Sequence, residues 1–345
     1  MGDSLQRIYG FIGAIPDLLY LAEEEFSMTK ISLNKNYRFR FNTNMLLLDR
    51  NIRRNAENFL NPKIVENAKI NLSYFNKQEE EAIYVSLTIQ DLLKSPDNTV
   101  AILIQQRNPN IDLILEQLEA DEIDYFYALF TDDDPEYIKF HQETLNTFFS
   151  VLQNSRSKRI NKLLLNKVYR KICNTYKDTK SKVIQSLLIL MEAFFEKLLS
   201  EYGFLNDEEK ISFINDTIEN RALKQSMDYV ENRVFVSTVH GAKGLEWNYV
   251  MLPDMEPYVF PSFSSLCGAC DFQTGRINAG DYCRIQVENH TEKEILEELS
   301  VFYVAITRAK KEVIFSASRK RYNASGEIKN SKISCLLCLP GISLE

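Results

Sequence analysis

The 345-residue chain contains no Gly-Lys dipeptide, and so no G-x-x-x-x-G-K-[ST] loop to cradle phosphates. Its three histidines, at 141, 240 and 290, are widely spread and support neither a metal triad nor a Ser-His-Asp arrangement. No apolar run approaches the ~18 residues that a membrane span needs. The N-terminus carries Asp3 and Arg7 and has no apolar core followed by a small-residue cleavage site, so it does not read as a signal peptide. Gln6 stands where myristoylation wants Ser or Thr. The expectation is a cytoplasmic protein with no membrane partner. An excess of positive charge is also lacking. There are 41 Lys+Arg against 48 Asp+Glu, a net charge of -7, which excludes a histone-like coat but not local nucleic-acid binding. Six cysteines are too few for a disulfide scaffold of this length.

What is present is ordinary globular composition, 45% hydrophobic and 26% charged, at a length that suggests about two domains. Strand patterns occur at Ile70–Phe75, Thr99–Gln105 and Ile123–Leu129, with helical periodicity between them at Glu79–Lys94 and Asn110–Glu119. Strands alternating with helices of this length imply a parallel α/β sheet with crossover helices. From Asp132 the pattern changes. Four helical segments fit residues 136–153, 158–176, 182–202 and 207–229, with Asp207 as an N-cap and Gly203 as a C-cap. Strand patterns resume at Arg233–Thr238, Tyr249–Leu252 and Glu312–Ser316. The fold expected is therefore α/β, a parallel-sheet domain over 31–130 and 231–345, interrupted by an all-helical insertion over 131–230. Charge is segregated: residues 116–145 hold ten acids and one base, and residues 155–185 hold ten bases and one acid. Solvated helix faces account for such runs as well as a binding surface does.

Two segments carry most of the chemical information: Val236-Ser237-Thr238-Val239-His240-Gly241-Ala242-Lys243-Gly244-Leu245-Glu246-Trp247, and Glu297 through Lys310 with Tyr303-Val304-Ala305-Ile306-Thr307-Arg308-Ala309 at its centre. They resemble motifs V and VI of the UvrD/Rep/PcrA family of superfamily 1 DNA helicases. Gly2-Asp3-Ser4-Leu5-Gln6-Arg7-Ile8-Tyr9-Gly10-Phe11-Ile12-Gly13-Ala14 resembles that family's motif III, with Ile12 where many relatives have Arg. Leu33-Asn34-Lys35-Asn36-Tyr37-Arg38 resembles motif IV. The four occur in the family's order, and the helical block falls where the family places its accessory domain.

The resemblance implies a RecA-like second motor domain, preceded over 1–30 by a remnant of the first. It implies a C-terminal portion of an ATP-dependent, 3′→5′ DNA helicase of repair, recombination or replication. Phosphoryl transfer needs cations at the γ-phosphate, and the resemblance gives that work to Arg38 and Arg308, with Gln6 as the γ-phosphate sensor. It places Tyr37 on adenine, Glu246 on the ribose hydroxyls and Gly244 in the nucleotide loop. It assigns Tyr9, Phe11, Thr238 and His240 to DNA, with Trp247 as a further stacking surface, since stacking tolerates any base. The implied partners are single-stranded or partly duplex DNA and the missing N-terminal RecA-like domain; the implied cofactors are ATP and Mg²⁺ in the intact enzyme. Because the phosphate loop and its Lys are absent, this chain alone is expected to be inactive. The alternative is a non-catalytic helicase-like module that binds DNA or protein. Cys267, Cys270 and Cys283 form a weak zinc set, three ligands without a defined fourth, so zinc is not expected.

Overall fold

The computed structural model describes residues 3–6, 8, 18–29, 31, 36–39, 42–58, 61–155, 157–262, 289–323 and 325–345. The chain forms two compact units, Met1–Asp124 with Ser237–Glu345, and Tyr125–Val236.

The first unit is built on parallel strands. β1 (Ala68–Ile70), β2 (Leu72–Phe75) and β3 (Val100–Ile104) precede the second unit, whose own strand β4 (Phe126–Ala128) follows them in the chain. β5 (Val234–Thr238) carries the chain back, and β6 (Trp247–Leu252) and β7 (Ala309–Ser318) follow. β2, β7, β6 and β3 lie side by side in that order, and all three pairings are parallel. β3 reads Val-Ala-Ile-Leu-Ile and is buried at every position, the signature of an interior strand in a parallel sheet. The Val239 N–H donates to the Ile104 carbonyl at 2.9 Å just past the end of β5.

The expected strand at Ile70–Phe75 is two strands. β1 leaves the main sheet and pairs with β10 (Ile342–Leu344), while β2 pairs with β7. A further hairpin joins β8 (Lys320–Tyr322) to β9 (Ile328–Asn330). The helices of this unit are α1 (Leu18–Glu25), α2 (Thr43–Glu57), α3 (Gln78–Leu93), α4 (Pro109–Ala120) and, late in the chain, α9 (Asn289–Ile306). Their starts are written locally. The Asn42 side chain accepts the Met45 N–H at 3.0 Å to cap α2, and Asn108 caps α4 ahead of Pro109 in the first turn.

The second unit holds β4, the first three residues of β5 and α5 (Pro135–Gln153), α6 (Lys162–Thr175), α7 (Lys182–Ser200) and α8 (Asp207–Glu219). Asp207 is not the cap of α8. Asn206 is, in a capping box with Glu209, because its side chain reaches the Glu209 N–H while Glu209 returns to the Asn206 N–H. Asp207 instead accepts the Ile160 N–H at 2.8 Å. α8 also ends early, and Leu223–Tyr229 forms a separate 3₁₀ turn. Among the described residues, no helix is long and apolar enough to cross a membrane.

Candidate functional site

Three loops of the first unit meet around two guanidinium groups. Arg38 lies in the turn before α2, where the Asn36 side chain accepts the N–H groups of Arg38 at 3.0 Å and Phe39 at 3.2 Å. This Asx turn sets the direction in which the Arg38 side chain leaves the backbone. One Arg38 nitrogen is paired with the carboxylate of Glu246, 208 positions later, and its Nε is buried without a hydrogen-bond partner among the described residues. Glu246 immediately precedes β6, and Gly244 before it has φ +93, a conformation that costs other residues.

Arg308 lies in the turn between α9 and β7, not in the helix, and it is only 3% exposed. Its Nε donates to the Val304 carbonyl at 3.1 Å, one terminal nitrogen to the Leu245 carbonyl at 3.2 Å and the other to Thr307 Oγ1 at 3.1 Å. Arg308 is thus held inside the fold by uncharged acceptors and is not a surface ion pair. Burial lowers its pKa, the charge of Arg38 lowers it further, and Glu246 opposes both. Arg38, Glu246 and Arg308 thus act on one another across one edge of the fold. Tyr37 precedes Arg38 in the same turn and is 63% exposed.

Gln6 is tied to this edge through a chain of polar contacts that spans distant parts of the sequence. Its amide donates to Asp3 at 3.2 Å. Asp3 accepts both terminal nitrogens of Arg53, at 3.1 and 2.6 Å, a bidentate pair. Arg53 also donates to the Tyr303 hydroxyl and stacks over that ring, 4.5 Å from its centroid. Tyr303 donates in turn to Asp49 at 2.6 Å, and Asp49 accepts from Asn36 at 3.3 Å. Burial works to raise the Asp3 pKa, but Arg53 overrides it and the net shift is downward. The chain Gln6–Asp3–Arg53–Tyr303–Asp49–Asn36 therefore joins the first described residues to the Arg38 turn and to α9. Asp3 and Tyr303 belong to the motif III and motif VI segments. Asp49 and Arg53 are one helical turn apart on α2 and carry no sequence signal beyond that spacing.

The remaining expected positions fall differently. Thr238 Oγ1 accepts the Gly241 N–H at 3.0 Å, and a Cβ on Gly241 would approach Ser237 Oγ to 2.9 Å, so these residues build a tight turn after β5. His240 Nε2 donates to the Ile8 carbonyl at 2.9 Å, and burial lowers its pKa. Of the described residues before 30, Asp3 contacts Arg53 and Ile8 contacts His240, all within the first unit. Trp247 is 3% exposed at the start of β6 and packs in the core, which corrects its reading as a stacking surface. Tyr9, Phe11 and the candidate set Cys267, Cys270 and Cys283 lie outside the described residues.

Comparison with known proteins places the chain in a family. The family described as the UvrD-like helicase C-terminal domain matches residues 133–320. A DNA helicase II of Rickettsia typhi is 29% identical over 170 residues, covering 44% of this chain and 23% of the relative. A probable DNA helicase II homolog of Rickettsia felis is 33% identical over 112 residues, 31% of this chain and 14% of the relative. An ATP-dependent helicase/nuclease polypeptide of Oenococcus oeni is 24% identical over 285 residues, 73% of this chain and 23% of the relative. The chain thus spans less than a quarter of the length of these relatives. With the match covering more than half of its residues, the chain belongs to the UvrD-like helicase C-terminal domain family.

Proposed function

We propose that this chain supplies one side of the ATP site of a 3′→5′ translocating DNA helicase, completed by an N-terminal RecA-like domain that carries the phosphate loop. The observation that carries the reading is the meeting of Arg38, Glu246 and Arg308 at one edge, beside an exposed Tyr37. Two guanidinium groups are suited to the charge that develops on a transferring γ-phosphoryl group. Without nucleotide, Glu246 neutralises Arg38. With nucleotide, the exchange is for Arg38 to turn to phosphate and Glu246 to ribose hydroxyls, with adenine on Tyr37. Gln6, held by Asp3, senses the γ-phosphate. Through Arg53 and Tyr303 its position is passed to α9 and Arg308, so hydrolysis depends on how the completing domain sits. Mg²⁺ would supply charge neutralisation on the phosphates, but among the described residues the carboxylates of this edge are already engaged, Glu246 by Arg38, Asp3 by Arg53 and Asp49 by Tyr303. The Mg²⁺ ligands therefore belong to the completing domain.

DNA is the polymer substrate in this reading, held near the turn that follows β5, where Thr238 and His240 lie. The test is single-stranded-DNA-stimulated ATP turnover by a polypeptide that joins this chain to a phosphate-loop domain. Turnover that collapses in Arg38→Ala and Arg308→Ala supports the reading. DNA binding with unchanged turnover in both variants would leave a helicase-like binding module in its place.

A further inference from the structure

Among the described cysteines, Cys173 belongs to the helical unit, while Cys335 and Cys338 share a single turn of the first. Residues Cys335–Cys338 form a 3₁₀ turn. Ser334 fixes it. Its side chain accepts the Leu336 N–H at 3.2 Å, its carbonyl accepts the Leu337 N–H at 3.1 Å, and its own N–H donates to the Met255 carbonyl at 2.7 Å. A 3₁₀ helix completes a turn every three residues, so positions i and i+3 eclipse, about 6 Å apart along the axis. That separation lies inside the Cα range that a disulfide spans. The C-x-x-C spacing therefore becomes two thiols on one side of one turn.

The two differ in exposure. Cys338 is 6% exposed and forms a small apolar cluster with Ile333. Leu72 and Tyr74 of β2 pack against that cluster, and so does Cys335, which is half-buried. Cys335 thus meets the cluster that holds Cys338 and keeps part of its surface open to solvent. A metal site does not fit, since among the described residues no third His, Cys, Asp or Glu joins the pair in a ligand set.

The segment after the turn is pressed against α2. The Pro340 and Gly341 carbonyls accept the side-chain amides of Asn55 and Asn51 at 2.9 and 2.8 Å, and a Cβ on Gly341 would come within 2.8 Å of Asn51. Backbone movement just past Cys338 is therefore felt by the helix that carries Asp49 and Arg53 of the polar chain between Gln6 and Asn36.

We propose that Cys335 and Cys338 form a modification site, a dithiol that a low-molecular-weight disulfide such as oxidised glutathione converts to an intramolecular disulfide. The Cys335 thiolate, the accessible one, attacks one sulfur of the oxidant. The oxidant's S–S bond breaks, and the first thiol leaves with the proton that Cys335 gave up. The Cys338 sulfur, losing its own proton, then attacks the Cys335 sulfur of the mixed disulfide and expels the second thiol, which takes that proton. Two protein S–H groups are oxidised to one S–S bond, and one oxidant disulfide is reduced to two thiols. Closing the bond draws the turn together and pulls on the carbonyls that hold Asn51 and Asn55.

The test equilibrates the folded chain in glutathione buffers of rising oxidised fraction, quenches with acid, alkylates the remaining thiols in denaturant and weighs the peptide that carries both cysteines. The expected result is the loss of two hydrogens, with no glutathione retained and neither cysteine alkylated, reversed by dithiothreitol. Cys338→Ser should stop at a glutathione adduct on Cys335, and Cys335→Ser should leave Cys338 alkylatable. Cys173→Ser, in the other unit, should behave as wild type. Both thiols still alkylatable in fully oxidised glutathione, or a lasting glutathione adduct on Cys335 of the wild-type chain, would overturn the proposal. Should a variant fail to fold, the wild-type peptide decides by the same two outcomes. Hydrogen exchange reads the consequence: amides of α2 around Asn51 and Asn55 should exchange at different rates in the oxidised and reduced chains. Equal rates would overturn the link to α2.

Discussion

In the first unit Asp49, Glu81, Asp254, Glu256, Glu298 and Arg308 are all buried, whereas among the described residues of Tyr125–Val236 no Asp, Glu, Lys or Arg is. The helical unit fills its interior with groups such as Phe140, Phe148, Leu187, Leu190 and Phe194. Its basic run faces solvent: Lys162, Lys167, Arg170 and Lys171 of α6 are exposed, as the solvated-face reading requires. Burial of apolar area stabilises such a unit without further conditions. A buried carboxylate or guanidinium adds stability only while its partners are in place. The first unit therefore keeps charge where chemistry can use it, and the second relies on packing.

The largest expected effect tests the charged side of this contrast. Arg308→Ala, in a polypeptide that also carries the phosphate loop, should reduce ATP turnover on the order of 10²–10³-fold. Arg308→Lys should recover little, because three separate acceptors are matched to a planar fork. Steady-state turnover near wild type in either variant would assign Arg308 to structure.

The helical side is tested by Leu190→Ala on α7, at 0% exposure. It should cost about 3 kcal/mol in urea unfolding and lower the stability of this unit without altering the Arg38–Glu246 edge. A loss well under 1 kcal/mol would mean that α7 is not the packing centre.

A smaller effect separates the units by pH. His141 is buried on α5, its Nδ1 donates to the Tyr137 carbonyl at 2.8 Å, and burial lowers its pKa, with Arg221, Asp132 and Lys224 also acting on it. The unfolded chain then binds the proton more readily than the folded one. Its contribution is complete above pH about 6.5 and is lost as pH falls through the lowered folded value, at no more than about 1.4 kcal/mol per pH unit. His141→Leu should flatten that part of the stability–pH curve, read from urea midpoints at pH 7.5 and 5.5, values on either side of ~6.5. An unchanged slope would place the titration elsewhere.

Gly244→Ala meets no atom within 4 Å, so only its φ of +93 opposes the new Cβ. The expected cost is roughly 1 kcal/mol in thermal or urea unfolding. A neutral result would show that the turn relaxes. Smallest of all, Lys139→Ala removes an exposed pair with Glu143 at 3.8 Å on α5 and should shift stability by about 0.3–0.5 kcal/mol. A larger loss would mean that the helical unit uses charge after all.

Sequence alone determined what local patterns can encode. Val100–Ile104 is an apolar run long enough for a buried strand, and Asn108-Pro109 writes a helix start that needs no distant partner. The segments around Arg38, Glu246 and Arg308 stood out through their resemblance to family motifs before any fold was known. Where the pattern was ambiguous, neighbours decided. Ile70–Phe75 became two strands because β1 found β10 and β2 found β7, pairings that no local periodicity contains. Only tertiary structure could join Asp3 to Arg53, 50 positions away, or Tyr303 to Asp49, 254 positions away. The same holds for Glu81 beside Asp254, 173 positions apart. The physical reason is that residue spacing sets backbone conformation within a few turns. Which side chains then share a buried volume depends on strand order and on how each element packs against its neighbours. Arg308 shows both halves: its type and place in the sequence were legible, but its near-complete burial against the carbonyls of Val304 and Leu245 was settled by α9 and the turn before β6.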